Sequence, residues 1–130
     1  MSKKRAKSQE ILVIEDDKDF SDDLCRMLTR RGYEVAQAVT ARDGLSRFKE
    51  NPVDLVITDI ILPDLDGIHV ILNLQKSAPD VKIIAMSGGG DHAFGEEYLD
   101  DVQLYCNIEH TLAKPFHRDA LFKIIHKMLD

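Results

Sequence analysis

Val53-Asp54-Leu55-Val56-Ile57-Thr58-Asp59 is a strand-length run, apolar at most of its inner positions, that ends on a carboxylate. A strand that is apolar without alternation has to be covered on both faces, the situation of a parallel sheet between helices. The same design occurs on both sides of it. Ile11-Leu12-Val13-Ile14 runs into Glu15-Asp16-Asp17, Val81-Lys82-Ile83-Ile84-Ala85-Met86 ends at Ser87, and Thr111-Leu112-Ala113 ends at Lys114-Pro115. If these four runs are neighbouring parallel strands, their ends gather carboxylates, a hydroxyl and an ammonium at one sheet edge. That set suits a hard cation and a phosphoryl group.

Helical periods fill the intervals. Phe20, Leu24, Met27 and Leu28 share one face of a helix that starts near Asp17 or Lys18 and stops at Arg31-Gly32, where glycine takes the left-handed cap. Glu34 to Val39 reads as a short strand. Thr40-Ala41-Arg42-Asp43 is a capping box that opens a helix burying Leu45 and Phe48 and ending at Asn51-Pro52. After the turn Pro63-Asp64-Leu65-Asp66-Gly67, a helix presents Ile68, Ile71 and Leu72 and ends before Pro79. Tyr98, Val102, Tyr105 and Cys106 recur at helical spacing, with Asn107 suited to a positive φ. A last helix faces inward with Leu121, Ile124, Ile125 and Met128. The expectation is α/β: a five-stranded parallel sheet, (βα) five times, doubly wound, with helices on both faces. Ligands of such sheets bind at the carboxyl ends of the strands.

Bulk properties narrow the function. At 130 residues the chain is one domain, large enough to bury a core without disulfide or structural metal. Cys25 and Cys106 stand apart with no CxxC spacing, which fits a reducing, cytoplasmic setting. No run approaches the ~20 apolar residues of a bilayer span. The net charge is −6, but Lys3, Lys4, Arg5 and Lys7 make residues 1–9 a basic, solvated tail. The body, 10–130, holds 13 basic against 23 acidic residues, about −10, which argues against a nucleic-acid groove. The tail is not a signal peptide, because only four apolar residues follow before the acids.

Carboxylates crowded at one edge call for a counter-charge, and Mg²⁺ (or Mn²⁺) takes oxygen ligands of this kind. A carboxylate is also a nucleophile toward phosphorus. Ile11 to Asp17, Asp54 to Gly67, Ser87, and Lys114-Pro115-Phe116, in this order and at these strand positions, closely resemble the receiver domain of bacterial response regulators. The match runs from about Glu10 to the C-terminus. It implies a flavodoxin-like three-layer sandwich in which Asp59 accepts a phosphoryl group from a histidine kinase or a histidine phosphotransfer protein. It further implies Asp16 as direct metal ligand, Glu15 acting through water, and Asp59 with the backbone carbonyl of Ile61 completing the protein ligands. Ser87 and Lys114 would bond the phosphoryl oxygens, and the Lys114–Pro115 bond would be cis. The resemblance implies a signalling phosphoacceptor rather than a turnover enzyme, acting on a downstream protein target, with neither nucleic acid nor membrane contacted directly.

One position departs from the family: where an aromatic switch residue usually stands, this chain has Thr111. With Ser87 and Thr111 as the switch positions, the output surface on the fourth helix and fifth strand is then expected to signal through backbone and loop shifts, or barely to signal. Ile61 and Gly89 cannot act as bases toward a hydrolytic water, so self-dephosphorylation is expected to be slow. Two other readings are weaker. A haloacid dehalogenase-type phosphohydrolase wants a second Asp where Ile61 stands, and a flavodoxin-like flavin carrier wants a phosphate loop where three acids stand. Among the remaining acids, Asp17 and Asp66 suit helix caps, Asp64 an exposed turn, and Asp54 a structural place at the far edge. His69, His92, His110, His117 and His126 show no ligand spacing, and Gly88-Gly89-Gly90 lacks the Lys-Ser/Thr of a phosphate loop. The sequence ends directly after the last helix, so the expected product is a receiver without an appended output domain, standing alone or as a piece of a larger regulator.

Overall fold

A computed structural model describes residues 9–87 and 95–129, with backbone alone for 95–100. Residues 1–8 of the basic tail, the Gly88-Gly90 segment, His92 and the Tyr98 side chain lie outside the described residues. Five strands and five helices alternate: β1 (Glu10–Ile14), α1 (Lys18–Arg30), β2 (Glu34–Ala38), α2 (Ala41–Glu50), β3 (Leu55–Asp59), α3 (Gly67–Ser77), β4 (Lys82–Ser87), α4 (Gly95–Cys106), β5 (His110–Ala113) and α5 (Arg118–Leu129). All strands are parallel, in the order β2-β1-β3-β4-β5. Strand order reverses at β1, so the crevice between the ends of β1 and β3 is the topological switch point.

Continuous apolar runs in β1, β3 and β4 follow from two separate cores. Leu12, Ile14, Val56, Ile83 and Ala85 face Phe48, Val70, Ile71, Leu74, Val102 and Cys106 from α2, α3 and α4. Ile11, Val13, Leu55, Ile57, Ile84 and Met86 face Leu24, Leu28, Leu121, Phe122 and Ile125 from α1 and α5. Side chains of a strand alternate between faces, so each central strand feeds both cores and can carry no polar residue in its middle. Buried polar residues come at or next to the carboxyl ends: the Thr58 hydroxyl donates to the Asp59 carbonyl, and Asp59 and Ser87 end β3 and β4.

Local signals behave as expected in most places. Asp17 caps α1 by accepting the Phe20 N–H at 3.1 Å, Gly32 takes φ +97° after it, and Asn107 takes φ 54° after α4. Thr40 caps α2 by accepting the Asp43 N–H at 3.0 Å, but the Asp43 carboxylate accepts from Arg47 Nε instead of returning to Thr40. Two helix faces differ from expectation. Leu72 is 47% exposed at the border of the polar side marked by His69, Asn73 and Lys76, and Val70 and Leu74 are buried in its place because they share the arc of Gly67 and Ile71. Tyr105 is 72% exposed, while Val102 and Cys106 are buried.

Candidate functional site

Three loops build the carboxyl edge. After β1 the chain turns through Glu15, Asp16 and Asp17 into α1. Asp17 is occupied as the helix cap, and its own N–H donates to Glu15 Oε2 at 3.0 Å. Glu15 is fully buried and Asp16 is exposed, so three consecutive acids have three environments. β3 delivers Asp59, only 4% exposed. Its Oδ1 accepts the Ile61 N–H at 2.9 Å, and its Oδ2 accepts from Lys114 Nζ at 3.2 Å.

Lys114 links the two buried carboxylates, because the same Nζ forms a short ion pair with Glu15 Oε1. It follows β5, its N–H donates to the Ser87 carbonyl at 2.8 Å, and the Lys114–Pro115 bond is cis, as expected. The ammonium lies 4.4 Å from the Phe20 ring centroid, and Phe116 packs edge-on against Phe20. Burial pushes the Glu15 carboxyl up to about 7, against the hydrogen bonds from Lys114 and from the Asp17 N–H; the Asp59 charge adds to the rise. Burial alone would lower the Lys114 ammonium, but the Glu15 hydrogen bond and the charges of Asp59 and Glu15 outweigh it and hold it above its ordinary value. Lys114 keeps its proton. Glu15 is the carboxylate that pays most for being ionised without further positive charge.

Glu15, Asp16 and Asp59 each place one carboxylate oxygen within 4.8 Å of the others. Hard oxygen donors at this spacing fit Mg²⁺ or Mn²⁺, which commonly combine one or two carboxylates with waters and phosphate oxygens. Ser87 ends β4 with its Oγ buried and without a hydrogen-bond partner among the described residues. A buried hydroxyl left unsatisfied costs about 1–3 kcal/mol, so one placed at this edge is a ready donor to an acceptor there. Thr111 lies in β5 opposite Ala85 and is half-buried. A groove of about 430 Å³ lined by Gln75, Pro79, Lys82, Asn107 and Glu109 opens at the opposite edge of the sheet and holds none of these side chains.

Asp64 is not the exposed turn residue that the sequence suggests. Its two oxygens accept the N–H groups of Ala41 at 2.9 Å and Arg42 at 3.0 Å, at the start of α2. The Arg42 N–H above all, with that of Ala41, holds its carboxyl below the usual range. No spacing signal could have found this, since the partners are 22 and 23 residues away. Asp54 and Asp66 stand as expected: Asp54 accepts the Glu10 N–H at 2.8 Å and Asp66 accepts the Ile68 N–H at 2.9 Å.

Comparison with known proteins agrees with this geometry. The family model described as response regulator receiver domain matches residues 11–126. The response regulator receiver protein CpdR of Brucella abortus is 33% identical over 119 residues, covering 92% of this chain and 95% of that protein. A CheY-like receiver domain protein from Methanospirillum hungatei superposes with a TM-score of 0.81 at 29% identity, over 94% of each chain. The response regulator TrrA of Thermotoga maritima, solved with Mg²⁺ and BeF, gives a TM-score of 0.80 at 28% identity over 92% of this chain and 98% of that one.

Proposed function

The chain belongs to the response regulator receiver domain family, and on that premise we propose that Asp59 is its phosphoacceptor, with Glu15, Asp16, Asp59 and the Ile61 carbonyl as protein ligands to Mg²⁺. Receiver domains are signalling phosphoacceptors of two-component systems, and the acidic cluster fits that role. The observation that carries the residue assignment is the meeting of three carboxylate oxygens, the Lys114 ammonium and the Ser87 hydroxyl, which has no partner among the described residues, at one sheet edge.

When bound, Mg²⁺ supplies positive charge to the carboxylates and coordinates phosphoryl oxygens. The chain's own residues do the rest. Asp59 Oδ2 is the oxygen that Lys114 now holds, and Oδ1 is fixed by the Ile61 N–H, so the carboxylate has one defined orientation. One oxygen forms the new O–P bond as the donor phosphohistidine's N–P bond breaks, and the imidazole leaves to take a proton from solvent. Lys114 and Ser87 then donate to phosphoryl oxygens, Lys114 exchanging a carboxylate partner for one of them. Positioning and charge neutralisation account for the chemistry, and no base is required.

The receiver unit proposed is 10–130, with 1–9 as a basic leader. Its donor is a histidine kinase or histidine phosphotransfer protein and its output a protein target; the acidic body speaks against direct nucleic-acid binding. No helix among the described residues is long and apolar enough to cross a membrane, and a cytoplasmic setting is proposed from the family and the unpaired cysteines. Intact-mass measurement after acetyl phosphate, with and without Mg²⁺, tests the assignment. Wild type gains a Mg²⁺-dependent phosphate adduct and Asp59→Asn does not; an adduct equal in the mutant refutes it.

A further inference from the structure

The loop from Asp59 to Gly67 carries both the phosphoacceptor and Ile61, and it is fastened at several points. Its base closes where the Gly67 N–H donates to the Ile60 carbonyl at 2.9 Å and where Ile61 and Asp66 form an antiparallel bridge. A side chain at Gly67 would collide with the Ile60 backbone, so only glycine allows that closure. Leu62 is buried in the core beneath. Leu65 packs against the same core, and Asp64 adds a hydrogen-bonded tie that reaches outside the loop.

The first turn of a helix leaves N–H groups without partners. In α2, Thr40 satisfies the Asp43 N–H and Asp64 satisfies those of Ala41 and Arg42, one with each oxygen. A charged acceptor holding two donors fixes orientation as well as distance. Arg42 Nε, 3.9 Å from Oδ2, adds little at the surface. Thr40 is already the local cap, so α2 does not depend on Asp64 to begin. The loop does depend on it: between Leu62 and Leu65 no other side-chain bond fastens the described backbone to a neighbouring element.

We propose that Asp64 is a positioning residue for the divalent cation: by clamping the β3–α3 loop to the first turn of α2, it holds Ile61 and Asp59 in register with Glu15 and Asp16. This rests on the receiver reading above. The clamp joins the cation site to α2, an element that contributes no ligand. Outer residues that orient a metal's ligands commonly set its affinity.

Mg²⁺ titration followed by backbone amide shifts, on wild type, Asp64→Ala, Asp64→Asn and Thr40→Ala, tests it. Asp64→Ala weakens Mg²⁺ binding roughly tenfold, with Asp64→Asn between it and wild type. Phosphorylation by acetyl phosphate in Asp64→Ala is slow at low Mg²⁺ and recovers at saturation. Thr40→Ala lowers the melting temperature but leaves the Mg²⁺ affinity unchanged. Wild-type affinity in Asp64→Ala, or an equal loss in Thr40→Ala, makes Asp64 a helix cap only and overturns the clamp alone. A wild type that takes up no Mg²⁺ overturns the clamp and the receiver reading together. In the unaltered protein, reciprocity of coupling requires Mg²⁺ to slow amide exchange at Ala41 and Arg42 but not at Asp43. Equal slowing at all three, or none, counts against the clamp even if the variants do not fold.

Discussion

At the scale of single residues, Lys114 is the side chain on which the site's resting charge balance depends. It is the ammonium shared by two buried carboxylates, so its removal leaves both underpaired. Lys114→Met is expected to destabilise the protein by roughly 3–5 kcal/mol in urea unfolding without divalent cation. Saturating Mg²⁺ narrows that gap, because the cation takes over the counter-charge; a gap independent of Mg²⁺ would show that Lys114 acts through packing instead. Asp64 gives the pH test. Its folded-state pKa is depressed, so its contribution is present above the ordinary carboxylate value and fades as pH falls through the lower, folded one. Acid titration of the stability difference between wild type and Asp64→Asn should show it full at neutral pH and shrinking below about pH 4. Ile61, 45% exposed two residues from Asp59, has no atom that accepts a proton from water. A phosphoryl lifetime of minutes or longer is therefore expected by mass decay after desalting, and one of seconds would contradict it.

Among elements, β1, β3 and β4 were legible because burial on both faces forces continuous apolar runs, and the residue that ends such a run is at the sheet edge by construction. Glu15, Asp16, Asp59, Ser87 and Lys114 could all be placed in that way. Strand starts were less legible: β3 begins at Leu55 rather than Val53, and at Asp54 the backbone N–H still donates to the Glu10 carbonyl while the Asp54 side chain accepts the Glu10 N–H. The faces of α3 and α4 were legible only in part. Ile68, Val70, Ile71, Leu72 and Leu74 make the apolar arc of α3 wider than its buried arc, so Leu72 stands exposed beside His69 and Asn73, and Tyr105 lies at helical spacing from Val102 while standing outside. Asp64 was misread for a different reason, because a carboxylate's partners across a fold are a tertiary fact with no period. β5 carries the position that bears on the signal. Thr111 has no ring to turn inward, so BeF with Mg²⁺ is expected to shift backbone amides from Gly88 to Lys114 without a large aromatic change. Identical spectra across that range would mean that the domain accepts the phosphoryl group and does not relay it.

For the whole molecule, ligand binding and folding are one equilibrium. If Mg²⁺ binds the folded site alone, stability rises by roughly 2.7 kcal/mol at a hundredfold excess over Kd. Urea unfolding should show that gain in wild type and lose it in Asp16→Asn, whose exposed side chain has little structural role of its own. The parallel sheet also orders events in time. β1 leaves the ribosome first, yet its four buried side chains need β3, paired Ile11 with Leu55 through Ile14 with Thr58, some forty residues later. Until then α1 and β2 can shield one edge and one face only. A nascent chain paused near Asn51 therefore displays an apolar strand with Glu15 and Asp16 at its tip and no Asp59 to complete them. Translation speed through residues 15–59 should accordingly affect how much of this protein a cell recovers folded, and slow codons there would raise its demand for chaperones.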